Sequence, residues 1–279
     1  MVPLTRQELD ICDERAVAVA LARLRPSAVV NAAVVNGVDA IERDPARAHP
    51  VNAVAPGVLA RACAAAGVPL VHVSTDYVFG GRPGGPWKET DAPAPVNAYG
   101  AMKAEGEARA LSQGGKVCVA RVAWLFGDGA CFVAAMLEEG LREGRVRLVA
   151  DQVGSPTPID AVAARLIQLA DLMAEGDPRV PPILHLAGGP PVTRPAWIGE
   201  AVAEIAAAGG PAVGVEVAAQ QDRPGSAPRP SFSALDVSLA EKLFGWRLPW
   251  TEATRALGRA SVRNVGLRRA DGEVFGGCA

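Results

Sequence analysis

A tyrosine and a lysine four residues apart, Tyr99 and Lys103, are the side chains of this sequence best suited to proton transfer. Their apolar surroundings predict a helix over residues 98–111, on which both side chains project from one face. A lysine cation beside a phenol favours the phenolate and lowers the pKa of the tyrosine from about 10. Such a pair is expected to exchange a proton with a carbonyl or an alcohol. Taken alone, this spacing is more often an ordinary surface pair.

Two further stretches could complete a site with this pair. The first, VSTDYVF at residues 73–79, follows a predicted strand and carries Thr75 and Asp76. The second is the small-residue end of the apolar run AVVNAA at residues 28–33, which a cofactor could approach closely. Ligands of open α/β sheets bind just beyond the carboxyl ends of the strands. A Ser-Thr-Asp run after a strand is, by itself, often only a turn or a helix cap.

The elements that must position these residues alternate along the chain. Strand, helix and strand at this spacing indicate parallel βαβ units, and hence an α/β fold with helices on both faces of a parallel sheet. A Pro- and Arg-rich stretch at residues 220–231 is predicted to be a loop. Helices are predicted over residues 14–24, 52–66, 98–111, 133–140, 159–173, 196–208, 239–244 and 250–257, and strands over 28–33, 70–74, 116–125, 146–149 and 183–187.

Composition excludes several classes of function. The 279 residues include 28 basic and 30 acidic side chains, a net charge of −2, so a nucleic-acid partner is not expected. The sequence has no apolar run of membrane-spanning length, and its first residues do not resemble a signal peptide. We therefore expect a protein without a membrane partner.

The cysteines and histidines indicate neither a disulfide framework nor a metal site. The three histidines are far apart, so no metal ion is expected. The five cysteines show no CxxC spacing, which is typical of buried apolar thiols in a reducing compartment and predicts a cytoplasmic protein. They are Cys12, Cys63, Cys118, Cys131 and Cys278.

Four motifs in combination, STDYVF, PVNAYGAMKAEGE, RVAWLFG and DQVGSPT, resemble the dTDP-4-dehydrorhamnose reductases, which are extended short-chain dehydrogenase/reductases. The resemblance spans about Leu9 to Leu257. It implies a Rossmann-like NAD(P)-binding domain over residues 1–150 and a smaller substrate domain over 151–258, interleaved with the first, leaving 259–279 as a poorly ordered tail. It implies reduction of dTDP-4-dehydro-L-rhamnose, or a related 4-keto-6-deoxy sugar nucleotide, to dTDP-L-rhamnose with NADPH or NADH.

The resemblance also implies roles for individual residues. Tyr99 would be the catalytic acid, with Lys103 as its partner on the nicotinamide ribose and Thr75 tuning the site. The dTDP-sugar would contact Thr75, Asp76 and Trp124, although Trp124 alone also fits a packed core aromatic. A homodimer is left open. The expected cofactor-binding residues are Asp10, Ile11, Ala33, Val34, Val35, Asn36, Val73, Tyr99 and Lys103.

The sequence departs from the family pattern at its start. The family opens with a strand, a GxxGxxG loop and a helix before the segment matched here by LDICD at Leu9. By this resemblance we expect roughly 30 to 35 residues, about one strand–helix–strand unit, to be missing. Three explanations stand: a fragment or wrong start codon, a non-catalytic or regulatory relative, or altered cofactor binding. The absent phosphate loop predicts weak NADPH binding. Cys131 and Phe232 also depart from the pattern and keep the exact sugar open.

Overall fold

The computed structural model describes residues 1–81, 84–127, 129, 131–218, 225–245 and 247–270. The predicted helices 14–24 and 98–111 are found with the expected bounds. The helices are α1 Glu14–Leu24, α2 Val38–Arg43, α3 Ala55–Ala66, α4 Ala98–Leu111, α5 Phe132–Glu143, α6 Ile159–Glu175, α7 Arg194–Ala207, α8 Ser238–Phe244 and α9 Thr251–Ala270. The strands are β1 Val29–Asn31, β2 Leu70–Thr75, β3 Val117–Val122, β4 Leu125–Phe126, β5 Arg145–Val149, β6 Val153–Gly154, β7 Thr157–Pro158, β8 Ile183–Leu186, β9 Val192–Thr193 and β10 Gly214–Ala218.

A four-stranded parallel sheet in the order β1-β2-β3-β8 lies at the centre. Successive residues of β2 point to opposite faces, so Leu70 packs against α1 and α3, whereas Val71 packs against α6. Helices therefore cover both faces, which confirms the expected parallel α/β architecture.

Local signals explain why the first helices begin and end where they do. Asp13 caps α1, because its Oδ1 accepts from the backbone N–H groups of Arg15 and Ala16 at 2.9 and 3.0 Å. Gly67 ends α3 in the left-handed conformation with φ of 68°, as its sequence position predicts. A short π-helical turn, Pro50–Val54, precedes α3, so helical backbone begins two residues before the predicted start at residue 52.

A second apolar core lies beside the sheet and is built around Trp197, which is fully buried. It joins α5 and β5 with α7 and α9. Strand β10, which the sequence did not predict, pairs in parallel with β5. Meanwhile α6 and β8, which follow residue 150, pack with the central sheet. Each of the two cores therefore contains elements from both before and after residue 150.

Helix α9 continues to Ala270, through the first part of the segment from residue 259 that the sequence predicts to be a poorly ordered tail. Two arginines hold α9 on α7: Arg255 pairs with Glu200 at 2.8 Å, and Arg259 with Glu204 at 3.1 Å. Residues 271–279 and the loop positions 220–224 lie outside the described residues.

Three other expectations can be compared with the described chain. The predicted strand 116–125 is shorter than expected, since β3 ends at Val122 and Trp124 has a left-handed φ of 36°. Cys12, Cys63, Cys118 and Cys131 are free thiols. No helix among the described residues is both long and apolar enough to cross a membrane.

Candidate functional site

The start of α4 is fixed against the end of β2 by two residues of the PVNAYG stretch. Asn97 caps the helix, its Oδ1 accepting from the backbone N–H of Gly100 at 2.8 Å. Gly100 allows the helix to approach Tyr77, because a Cβ at this position would lie 2.1 Å from the Tyr77 carbonyl oxygen. This close contact aims Tyr99 and Lys103 at the carboxyl end of β2.

Tyr99 lies in a desolvated environment that keeps its phenol protonated. Its hydroxyl lies near the Thr75 side chain, and its ring meets the Tyr77 ring edge-on at 5.9 Å. Burial raises the pKa of Tyr99, and the nearby Asp76 and Tyr77 raise it further, while the Thr75 side chain opposes them. The prediction that this pKa is lowered is therefore wrong, because desolvation and Asp76 dominate the environment of the phenol.

Lys103 is turned toward the backbone of β2. Its side chain is buried, and Nζ donates to the Val73 carbonyl at 2.8 Å. Burial lowers the pKa of Lys103 to about 8, although Glu107, one turn further along α4, favours the ammonium form. Val73 thus holds the lysine by its carbonyl oxygen.

Asp76 is a buried carboxyl at the centre of the site. Its Oδ2 accepts from the Ser233 hydroxyl at 2.5 Å, and its Oδ1 accepts from the Thr75 hydroxyl at 3.1 Å. Burial raises the pKa of Asp76 to about 6, with these two hydrogen bonds and Arg194 opposing the shift. Ser233 was not predicted, since it arrives from a segment 157 residues further along the chain.

A cavity of about 250 Å³ opens beside Tyr77, the residue after Asp76, and two arginines line it. Arg194 donates to Gln152 at 2.8 Å, and Arg229 donates to Asp39 at 2.8 Å. Both guanidinium groups lie near Tyr77 and act on its phenol electrostatically. The lining residues are Val38, Asp39, Tyr77, Phe132, Leu148, Val149, Gln152, Arg194, Ser226 and Arg229.

Trp124 contributes an aromatic face to the same region. The Arg194 guanidinium lies over its ring at 4.1 Å, and Trp197 stacks on it at 5.6 Å. The ring lies so close to Gly154 that a Cβ there would be 2.2 Å from it. A non-glycine residue held at φ of 36° is strained, and such strain persists only where the surrounding packing over-determines it.

The loop after β1 reaches α4, as the site prediction requires. Val35 is clamped by two hydrogen bonds of 2.9 Å to the Asn52 side chain, and it packs in the same apolar cluster as Tyr99. Ala33 and Val34 are exposed beside it, as is Asn36.

Asp10 and Ile11 belong to a different part of the surface. Asp10 accepts from the backbone N–H of Cys12 at 2.9 Å. Ile11 packs on the cluster of α1 and α3 that includes Val17 and Leu59. The structure therefore groups the other predicted residues around β2 and α4 and leaves these two near α1.

Four polar residues of the site were missed from the sequence: His72, Arg194, Arg229 and Ser233. Arg229 and Ser233 lie in the stretch PRPSFS. Its composition indicated a loop, but it did not indicate which residues the loop contacts. The buried positions of Arg194 and His72 depend on elements distant in sequence.

Comparison with known proteins gives matches over most of the chain. The family profile described as RmlD substrate binding domain matches residues 1–261. A dTDP-4-dehydrorhamnose reductase of Mycolicibacterium smegmatis is 40% identical over 238 residues, covering 84% of this chain and 70% of that protein. A probable dTDP-4,6-dihydroxy-2-methyloxan-3-one 4-ketoreductase of Streptomyces antibioticus is 38% identical over 238 residues, covering 83% of this chain and 77% of that protein. The structure of a Bacillus anthracis dTDP-4-dehydrorhamnose reductase in complex with NADP superposes with a TM-score of 0.83 at 26% identity, over 92% of this chain and 88% of that one.

Proposed function

The chain belongs to the RmlD family of dTDP-4-dehydrorhamnose reductases, and from this premise we propose that it reduces dTDP-4-dehydro-L-rhamnose to dTDP-L-rhamnose with NADPH. The observation that carries the proposal is the convergence of Tyr99, Thr75 and Lys103 at the carboxyl end of β2. A parallel α/β sheet binds its ligands at this edge.

The residues around Lys103 fit the nicotinamide end of the cofactor. Small apolar residues, Ala33 and Val34, are exposed in the loop after β1, and Lys103 is anchored at the end of the neighbouring strand β2. A flat apolar ring and a ribose hydroxyl would both find partners there. NADPH, when bound, supplies the hydride that reaches C4 of the sugar. Asn36, Val35 and Val73 complete the proposed cofactor surface, while Asp10 and Ile11 would meet the adenine end.

Tyr99 would donate the proton to O4 of the sugar. Its raised pKa keeps the phenol protonated at neutral pH, as a proton donor requires. Thr75, whose side chain lies near the Tyr99 hydroxyl, would orient the phenol and hydrogen-bond the reacting oxygen. Lys103 would hold the cofactor ribose and restore the proton to Tyr99 after turnover.

The substrate would extend from this centre into the arginine cavity. Trp124 and Asp76 would contact the sugar, and Arg194 and Arg229 offer two cations for the diphosphate of a dTDP-sugar. Guanidinium groups pair well with phosphate oxygens. We assign the substrate-binding side to the second core, that of α5, β5, α7 and α9, which is interleaved with the nucleotide-binding sheet.

A direct assay tests the proposal. The purified chain, NADPH and dTDP-4-dehydro-L-rhamnose should give loss of NADPH absorbance and dTDP-L-rhamnose, identified by NMR. The ketoreductase relative makes other dTDP-4-keto-6-deoxy sugars the natural comparison substrates. Binding of the dTDP-sugar without turnover by the folded chain, at an NADPH concentration that saturates it, would overturn the reductase and support a non-catalytic family member.

Two further expectations remain proposals. The printed sequence holds no GxxGxxG loop, so weak NADPH binding stays a prediction, to be measured by fluorescence titration of this chain. We place the protein in the cytoplasm, because four of its cysteines are free thiols and a reducing compartment keeps them so.

A further inference from the structure

The buried imidazole of His72, in β2, is used by no step of the proposed mechanism. Its side chain is fully buried between neighbouring elements of the site. On one side, its Nδ1 lies 3.1 Å from Nδ2 of Asn31 in β1. On the other side, its Nε2 lies 3.5 Å from Nζ of Lys103 in α4. His72 therefore connects the end of β1 to the lysine.

The orientation of the Asn31 amide follows from its other contact. The backbone N–H of Ala33 can only donate, and it lies 3.1 Å from the Asn31 side chain, so the atom facing it must be the oxygen Oδ1. The amino group Nδ2 must then face His72. Because an amide NH₂ can only donate, His72 Nδ1 must accept and carries no proton.

The tautomer of His72 is thereby fixed. A neutral imidazole with a free lone pair on Nδ1 carries its proton on Nε2, which faces Lys103. Burial, and the nearby Lys103, lower the pKa of His72 well below its ordinary value, so the ring stays neutral. An N–H pointing at the lysine offers a hydrogen bond to the lone pair of a neutral amine and opposes an ammonium group.

We propose that Asn31 and His72 are positioning residues that control the proton count of Lys103, with Asn31 fixing the tautomer and the Nε2–H of His72 favouring the neutral amine. The role of Lys103 in turnover rests on the proposed function, whereas the hydrogen-bond chain does not. The Nζ group still donates to the Val73 carbonyl, which anchors it in either state.

Other charged or titratable groups around Lys103 act in different directions. Glu107, on α4, favours the ammonium form, but its carboxylate is held by Arg121 of β3 at 2.7 Å. Tyr99, one turn earlier on α4, is protonated and neutral. The imidazole of His72 is the group from β2 that opposes Glu107.

The tautomer can be read directly by ¹⁵N NMR of the histidine rings, without substrate or cofactor. His185 is an internal reference, because its Nδ1 faces the Asp236 carbonyl at 3.1 Å and must therefore carry a proton. We expect His72 to be protonated on Nε2 and His185 on Nδ1, with neither ring titrating between about pH 6 and 9. A proton on Nδ1 of His72, or a doubly protonated ring, would overturn the proposal.

The control of Lys103 can be tested by replacing the residue that sets the tautomer. In Asn31→Asp, the carboxylate accepts from Nδ1, so the proton leaves Nε2, whose lone pair now accepts from the ammonium. The chain has four lysines, so ¹³C NMR of the lysine side chains can follow Lys103 against Lys88, Lys116 and Lys242. The titration midpoint of Lys103 should rise by about one pH unit or more. An unchanged midpoint would contradict the proposal.

A double variant separates the tautomer from the added charge. If the effect passes through the imidazole, it should largely disappear when the imidazole is removed. Adding Asn31→Asp to His72→Phe should then raise the Lys103 titration midpoint much less than Asn31→Asp raises it in the wild type. An equal rise with and without the ring would show a simple charge effect and overturn the proposal. His185→Phe, which also removes a buried histidine, is the matched control and should leave the titration midpoint of Lys103 unchanged. If His72→Phe does not fold, the tautomer spectra of the wild type and of Asn31→Asp still decide.

Discussion

Replacing Asp76 by asparagine should stabilise this protein at neutral and alkaline pH. The carboxyl is fully buried, and its pKa is raised from 3.8 to about 6. The folded state therefore binds the proton more tightly than the unfolded chain does, so the contribution of Asp76 is most favourable below its ordinary pKa. That contribution is lost as the pH rises through about 6.

The magnitude follows from the size of the shift. At about 1.4 kcal/mol per pKa unit, the rise from 3.8 to about 6 costs the folded state about 3 kcal/mol once the carboxylate is fully ionised. Asparagine resembles the protonated acid in shape and carries no charge. It can accept from Thr75, and the Ser233 hydroxyl can rotate to accept from its amino group. The unfolding free energy of Asp76→Asn should therefore increase relative to that of the wild type by about 2 kcal/mol between about pH 4 and pH 8.

Urea unfolding of both proteins at several pH values measures this gain. Asp236→Asn is the matched control of opposite sign, because Asp236 accepts from the Ser238 backbone N–H at 2.8 Å and its pKa is lowered. Asp236→Asn should be less stable than the wild type at pH values above the ordinary pKa of an aspartate side chain. A stability difference for Asp76→Asn that does not change with pH, or that has the opposite slope, would refute the assignment of a desolvated carboxylate.

Three further substitutions test the site and its support. Tyr99→Phe should lower kcat by about 10² to 10⁴ while calorimetry shows intact dTDP-sugar binding, and near-normal turnover would exclude Tyr99 as the proton donor. Arg194→Met should raise KM for the dTDP-sugar by about 10- to 100-fold with little change in kcat, and an unchanged KM would remove Arg194 from the proposed diphosphate site. Glu107→Gln should cost about 3 to 5 kcal/mol of unfolding free energy, because it leaves the buried Arg121 without its counter-charge. The exposed pair of Glu143 with Arg142 is the control, and Glu143→Gln should change stability by less than about 1 kcal/mol.

The sequence by itself determined the elements whose signals are local. The helix over 14–24 has its cap and a clear apolar face, and the Tyr99–Lys103 helix has the Asn97 cap and the right length, so both were predicted with their observed bounds. The alternation of short apolar runs with amphipathic helices gave the parallel α/β class. Residue types four apart on one helix gave the candidate proton-transfer pair.

The tertiary structure alone decided which distant segments complete the site and what they do to its charges. Ser233 reaches Asp76, and Arg194 lies over Trp124, through packing that no local pattern encodes. Strand β10 and the helical part of the predicted tail depend likewise on partners far along the chain. The pKa of Tyr99 is raised and not lowered because desolvation is a property of the assembled core. A spacing of four residues brings a lysine near a phenol, but burial among groups from several segments decides the sign of the shift.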